Sequence, residues 1–204
     1  SPVPAHRNSM EDLTLTDEKA ALRRKALRAA RASAAAYGDG AGQRVARAFL
    51  AAVPVAEGAA VSGYAPLKSE IDPLPLLTLL ARRGHAIALP YVEAAGRPLL
   101  LKRWRPGEKL TAGQFGVRQP AASAETLNPD ILLVPLVAFD SEGYRLGRGG
   151  GFYDRTIAEL KAQRPLVTVG LAFAAQHMLR VPREPHDQRL DWIVTEEGAL
   201  SCAP

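Results

Sequence analysis

The residues best suited to chemistry lie together in the segment 143–155, GYRLGRGGGFYDR, where Gly147, Gly149, Gly150 and Gly151 alternate with and follow Arg145, Leu146 and Arg148 and lead into Phe152, Tyr153 and Asp154. Glycines let a ligand approach the backbone, and guanidinium groups carry permanent positive charge and fork-shaped donors. That combination suits phosphate. It is neither of the commonest phosphate loops: the chain has no Gly-Lys-Ser/Thr triplet, and Phe152 stands where the dinucleotide pattern starting at Gly147 needs its last glycine. A glycine cluster alone is usually a turn. Two arginines, a Phe-Tyr pair and Asp154 in the same segment favour a ligand site.

Other candidates are dispersed. Lys19 and Arg23 are four residues apart in an Ala-rich stretch and project from one helical face; with Arg24, Arg28 and Arg31 nearby, they read on their own as a solvated basic surface. Glu70 lies in a polar loop after a short apolar run, where open α/β sheets place ligand chemistry, although most loop glutamates only meet water. His6, His85, His177 and His186 form no paired-ligand spacing and read as surface or loop residues.

The elements that must position these groups alternate between helical and strand patterns. A helix is expected from a cap at Thr16 or Asp17 to about Ala36, and a second over 43–52. Strands are expected at 59–64, 85–91, 131–134, 166–173 and 192–195, the last of them closing the fold, with an antiparallel or edge strand at 98–104. Helices are expected at 75–83 and from Phe152 onward, where Tyr153, Ile157 and Leu160 recur at helical spacing. The second would aim its free N–H groups and positive dipole end into the glycine turn. Residues 105–128 read as an irregular loop laid over the sheet. The alternation implies an α/β fold with three layers: a mainly parallel central sheet with helices on both faces.

At 204 residues the chain is sized for one domain, expected at 14–204 behind a disordered lead at 1–13. Such a domain buries roughly 70% of its unfolded surface without disulfide or metal staples. The single cysteine, Cys202, excludes an intramolecular disulfide and points to a reducing compartment, the cytoplasm. No apolar stretch reaches membrane-spanning length, so no membrane partner is expected. The formal charge of +5 favours an acidic partner, which a pocketed polyphosphate satisfies. Aromatics make up 6% of residues and form no base-stacking platform, which argues against nucleic acid.

Several ordered segments together resemble the 5-formyltetrahydrofolate cyclo-ligase (methenyltetrahydrofolate synthetase) family. These are Lys19 with Arg23, Tyr64 with Glu70, GVRQP at 116–120, VPLVAFDSEGYRLGRGGGFYDR at 134–155, GLAFAAQ at 170–176 and PREPHDQRLDWIVTE at 182–196. The resemblance implies an ATP- and magnesium-dependent enzyme, expected as a cytoplasmic monomer, that cyclises 5-formyltetrahydrofolate to 5,10-methenyltetrahydrofolate. It implies that Arg145 to Tyr153, with Lys19 and Arg23, hold ATP, and that Tyr64, Ala65, Glu70, Phe152 and Tyr153 hold the folate. Asp154 and Asp187 would carry the magnesium, and Arg148 and Tyr153 would take part in catalysis. Gln119 occupies a place often taken by glutamate in the family, Leu100 one where methionine is frequent, and Gly150 replaces the lysine of some relatives. The competing reading is a non-catalytic nucleotide- or RNA-binding homologue.

Overall fold

The computed structural model describes residues 9–202. In chain order these form α1 (Ser9–Tyr37), α2 (Gly40–Ala52), β1 (Val61–Ser62), α3 (Leu74–Arg82), β2 (Ile87–Tyr91), β3 (Leu100–Arg103), β4 (Thr111–Ala112), a 3-10 turn (Gln114–Gly116) and β5 (Arg118–Gln119). There follow β6 (Ile131–Pro135), β7 (Ala138–Phe139), β8 (Arg145–Leu146), α4 (Phe152–Gln163), β9 (Val167–Leu171), a second 3-10 turn (Ala174–Gln176), β10 (Trp192–Thr195) and β11 (Gly198–Ser201).

The main sheet runs β11-β10-β9-β6-β1-β2-β3. Its five inner strands are parallel, and an antiparallel strand closes each edge, β3 against β2 and β11 against β10. Alternation along the strands separates two cores. Val61, Ile87, Leu89, Ile131, Leu133, Val169 and Leu171 face α2 and α3, meeting Val45, Phe49, Leu76, Leu77 and Leu80. Ala88, Leu132, Val134 and Ile193 face the other way, toward Ile157 and Leu160 of α4. Period-two burial on both faces of the sheet makes the expected three-layer α/β fold. A third cluster seats α1 on the β7–β8 hairpin through Ala26 against Val137, Ala138 and Leu146. Small side chains on α1 allow this close seating, while Arg24, Arg28 and Arg31 remain exposed.

Some boundaries differ from the expectation. Helix α1 begins at Ser9, so neither Thr16 nor Asp17 caps it and the expected disordered lead overlaps the helix at 9–13; residues 1–8 lie outside the described residues. The stretch SMEDLTLT at 9–16 holds no proline or glycine, so nothing in it stops a helix from continuing back from the Ala-rich segment. The segment 105–128 is not a plain loop, since β4 and β5 pair within it. Nor is 192–195 the last strand, because β10 turns through Gly198, at φ 153°, into β11.

Candidate functional site

The chain goes from β1 to β2 and β3 on one side, then crosses back to β6, β9 and β10 on the other. The order of strands therefore reverses between β1 and β6, and in open α/β sheets the crevice beyond the carboxyl ends of such strands is where ligands sit. A cleft of about 530 Å³ lies there. Tyr64, Ala65, Leu67 and Glu70 line it from the loop after β1, and Pro90 and Val92 from the end of β2. Leu136, Val137 and the glycine segment line it from the chain after β6. Lys19 and Arg23 close it from α1, and Glu184, His186 and Asp187 from the segment before β10. The residues that the resemblance assigns to ATP, folate and magnesium thus all line one cleft.

The glycine segment begins as the β7–β8 hairpin and ends at α4. Gly151, at φ 68°, is the residue before the helix, and a Cβ there would lie 2.7 Å from the Arg155 guanidinium. Only glycine takes that left-handed turn at little cost. Gly149 is also left-handed, at φ 107°, whereas Gly147 and Gly150 are not. The turn presents the start of α4 to the cleft, where unpaired N–H groups and the dipole favour an anion. Arg23 fastens α1 to this turn by donating from Nε to the Gly147 carbonyl at 2.8 Å.

The two arginines diverge. Arg148 is 46% exposed and reaches across the cleft, donating from Nε to Glu70 Oε1 at 3.3 Å and from Nη2 to Ser69 Oγ at 3.2 Å. Arg145 turns inward. Its side chain is 5% exposed, and Nη1 donates to Asp154 Oδ1 at 3.0 Å and to the Gln188 carbonyl at 3.1 Å. Arg148 thus reaches across the cleft, while Arg145 supports Asp154. Leu146 packs into the α1–hairpin core at the margin of the cleft.

Glu70 is buried, at 9% exposure of its side chain. Burial pushes its carboxyl above the usual range, against the opposing pull of the Leu67 N–H and the Arg148 guanidinium. Burial and the neighbouring Glu70 likewise hold the Tyr153 hydroxyl protonated through ordinary pH, with Arg145 opposing. Tyr153 is thus a hydrogen-bond donor rather than a base. Tyr64 is committed elsewhere: its hydroxyl donates to the Ile71 carbonyl at 2.6 Å, so it serves as a wall.

On the α1 side, the Lys19 ammonium is bonded to Glu184 and lies 3.9 Å from Asp187. Glu184, His186 and Asp187 bring ligand atoms within 4.8 Å of one another. Asp154 is outside that group, and its Oδ1 accepts from both Arg145 and the Gln188 N–H. Both aspartates that the resemblance assigns to magnesium line the cleft, Asp187 within that group and Asp154 apart from it. Asp187 is joined by Glu184, which was not singled out although it sits in the charged run PREPHD, and by His186, which read as a loop residue.

Two further residues went unnoticed in the sequence. Phe115 is 67% exposed, holds φ 59°, and meets the Phe152 ring at 5.7 Å between centroids and 59° between planes. A non-glycine residue in that region costs about 1–3 kcal/mol, and such residues cluster at functional sites. Asp140, 1% exposed, ties the hairpin to the segment that carries Asp187. Its Oδ1 accepts from the Glu142 and Tyr144 N–H groups, and its Oδ2 accepts from the Val181 N–H and Arg183. Arg183 in turn stacks 3.8 Å over the Tyr144 ring.

The model of the 5-formyltetrahydrofolate cyclo-ligase family matches residues 15–196. A protein of Mycolicibacterium smegmatis named 5-formyltetrahydrofolate cyclo-ligase is 36% identical over 162 residues, 76% of this chain and 81% of its own. One of the same name from Escherichia coli is 33% identical over 160 residues, 76% and 87%. The solved Aquifex aeolicus 5,10-methenyltetrahydrofolate synthetase superposes with a TM-score of 0.75 at 31% identity, covering 91% of this chain and 93% of its own.

Proposed function

We propose a function from one premise: this chain belongs to the 5-formyltetrahydrofolate cyclo-ligase family. It is a methenyltetrahydrofolate synthetase, an enzyme of one-carbon metabolism that closes the ring of 5-formyltetrahydrofolate to give 5,10-methenyltetrahydrofolate. ATP is its co-substrate. The observation that carries the finer reading is the meeting, in one cleft, of an anion-binding helix start with a buried carboxylate and a neutral tyrosine.

The formamide carbon is a poor electrophile and its oxygen a poor leaving group. Transfer of the terminal phosphoryl group of ATP to that oxygen makes an imidate-like carbon, which N10 attacks; the C–O bond then breaks, ADP and phosphate leave, and the N10 proton departs with the phosphate. Little covalent work falls to the protein, which must align the reactants and offset charge on the phosphoryl group. In our reading, the backbone N–H groups of Gly149 to Phe152 and the start of α4 receive the phosphates, with Lys19, Arg23 and Arg148 supplying charge. Arg145 acts through Asp154, holding its carboxylate in place. Tyr153 donates toward the formyl oxygen, and Glu70 accepts from the N–H groups of the reduced pterin, between Tyr64, Ala65 and the Phe152 ring.

Magnesium fits the residues present. Glu184 and Asp187 offer hard oxygen donors, and the Lys19 ammonium already lies beside them, so this corner accommodates positive charge. Glu184, Asp187 and Asp154 would hold the ion together with phosphate oxygens, and the ion would neutralise phosphate charge. No helix among the described residues is long and apolar enough to cross a membrane, and a reducing cytoplasm suits the lone buried thiol of Cys202. In this reading the chain acts as a monomer on small molecules.

The test follows the absorbance of the methenyl product in a mixture of purified protein, ATP, magnesium and 5-formyltetrahydrofolate. ATP-dependent product is expected. Folded protein that binds ATP yet forms none would leave a non-catalytic nucleotide-binding relative.

A further inference from the structure

The Arg148–Glu70 contact joins the two halves of the cleft, and it uses groups that both substrates need. Glu70 is almost enclosed, and an enclosed carboxylate requires a partner. Its charged partner is Arg148, which donates to Glu70 Oε1 at 3.3 Å and to Ser69 Oγ at 3.2 Å, while the Leu67 N–H donates to Oε2 at 3.3 Å. Ser69 is itself buried, and no other hydrogen bond engages its hydroxyl among the described residues. The guanidinium arrives from the solvent side on a turn flanked by Gly147 and Gly149, and a Cβ at Gly147 would meet nothing within 4 Å. Arg148 is therefore anchored at its tip by Ser69 and Glu70, on a turn that Arg23 holds at the Gly147 carbonyl and that leaves open space beside Gly147.

We propose that Ser69 and Glu70 form a parking site for the Arg148 guanidinium, so that the arginine is exchanged between the acceptor half and the phosphate half of the cleft and the two substrates strengthen each other's binding. This rests on the assignment of Glu70 to the folate and Arg148 to ATP. A folate N–H that bonds Glu70 must displace Arg148, which then becomes available to phosphate. ATP that draws Arg148 away leaves Glu70 enclosed with the Leu67 N–H as donor but without a countercharge, a condition the folate relieves. Each substrate alone must break the same contact, and together they break it once. Such coupling is reciprocal by thermodynamic necessity. Ser69 is here a positioning residue, acting on the reaction only through Arg148.

The test is equilibrium calorimetry on the full chain, titrating 5-formyltetrahydrofolate with and without a saturating non-hydrolysable ATP analogue and magnesium. The analogue is expected to tighten folate binding by roughly 5- to 30-fold, within the usual range of coupling between sites, and folate should tighten the analogue by the same factor. Ser69→Ala removes one anchor without touching either substrate, so the coupling factor should fall at least twofold while the protein keeps its thermal midpoint. Arg148→Ala should bring the factor to within about twofold of one. Independent binding of both ligands to the wild type, or an unaltered factor in Ser69→Ala, overturns the parking site and leaves the function standing. Binding of the analogue with no folate binding under any condition overturns the function and the parking site together.

Discussion

Asp140 offers the sharpest test of how the cleft is held. Replacing it with alanine removes a carboxylate that accepts four hydrogen bonds at 1% exposure. The Glu142 and Tyr144 N–H groups belong to a partly open turn, so water can replace their acceptor at small cost. The Val181 N–H is different. Val181 is buried, and its N–H loses a charged acceptor 2.9 Å away, costing about 1–3 kcal/mol for an unsatisfied donor. The two turn bonds add about 0.5–1 kcal/mol each, and the Arg183 contact lies on the solvent side and is left out of the sum. The total is about 2–5 kcal/mol, which for a chain of this length lowers the thermal midpoint by roughly 5–15 °C. Denaturant melting followed by far-UV circular dichroism measures the loss directly. Because the same bonds hold the segment carrying Glu184 and Asp187, product formation at limiting magnesium should fall by a larger factor than at saturating magnesium. A stability loss under about 1 kcal/mol, with equal activity loss at both magnesium levels, would refute the claim that Asp140 ties the two segments.

Glu70 should make folate binding pH-dependent. Its carboxyl is raised by burial and must be ionised to accept from the pterin, so affinity should be full at neutral pH and weaken as pH falls through a midpoint above 4.5. Arg148→Ala removes a group that lowers this carboxyl and should move the midpoint upward; a midpoint unmoved, or an affinity that rises on acidification, contradicts this. The same upward shift means that ionised Glu70 detracts from stability, so the folded state gains as pH falls through that midpoint toward the ordinary carboxylate range, and Glu70→Gln should flatten this trend in denaturant melts. Gly151→Ala should cost about 1–2 kcal/mol, from the left-handed backbone and the clash with Arg155, whereas Gly147→Ala should stay within about 0.5 kcal/mol. Equal melting curves for the two variants would show that the turn tolerates both. Asp154→Asn should lose about 1–3 kcal/mol by weakening the acceptor of a buried Arg145, and it should need more magnesium for half-maximal rate. An unchanged magnesium titration would confine Asp154 to supporting its neighbours.

The parts of the fold carried by sustained patterns were legible. Strands β2, β6, β9 and β10 and helix α4 lie where apolar runs and helical spacing put them. The hairpin β7–β8 was missed because two-residue strands have no period to detect, and β11 because half of its residues are exposed and its glycine reads as a turn. In the cleft, residue types were legible and directions were not. Nothing in GYRLGRGGG says that Arg145 turns inward to Asp154 while Arg148 turns outward to a glutamate 78 positions away. Those orientations are set by the hairpin, since β8 places Arg145 in paired strand and Arg148 falls in the turn beyond it. Glu184 and Ser69 went unnoticed for a similar reason: polar residues in loops give no signal until the sheet brings those loops together.

The reversal of strand order between β1 and β6 has a consequence for how this enzyme can diversify. The wall from Tyr64 to Val92 and the wall from Leu136 to Asp154 are written in separate, non-overlapping stretches of the chain on opposite sides of that seam. Under the proposed assignments the folate draws on both stretches, Tyr64 and Glu70 from the first and Phe152 and Tyr153 from the second, so exchange of the first stretch between relatives would alter one side of the pocket and must keep its glutamate matched to the arginine of the second. Across the seam those two side chains are the pair that must be inherited together.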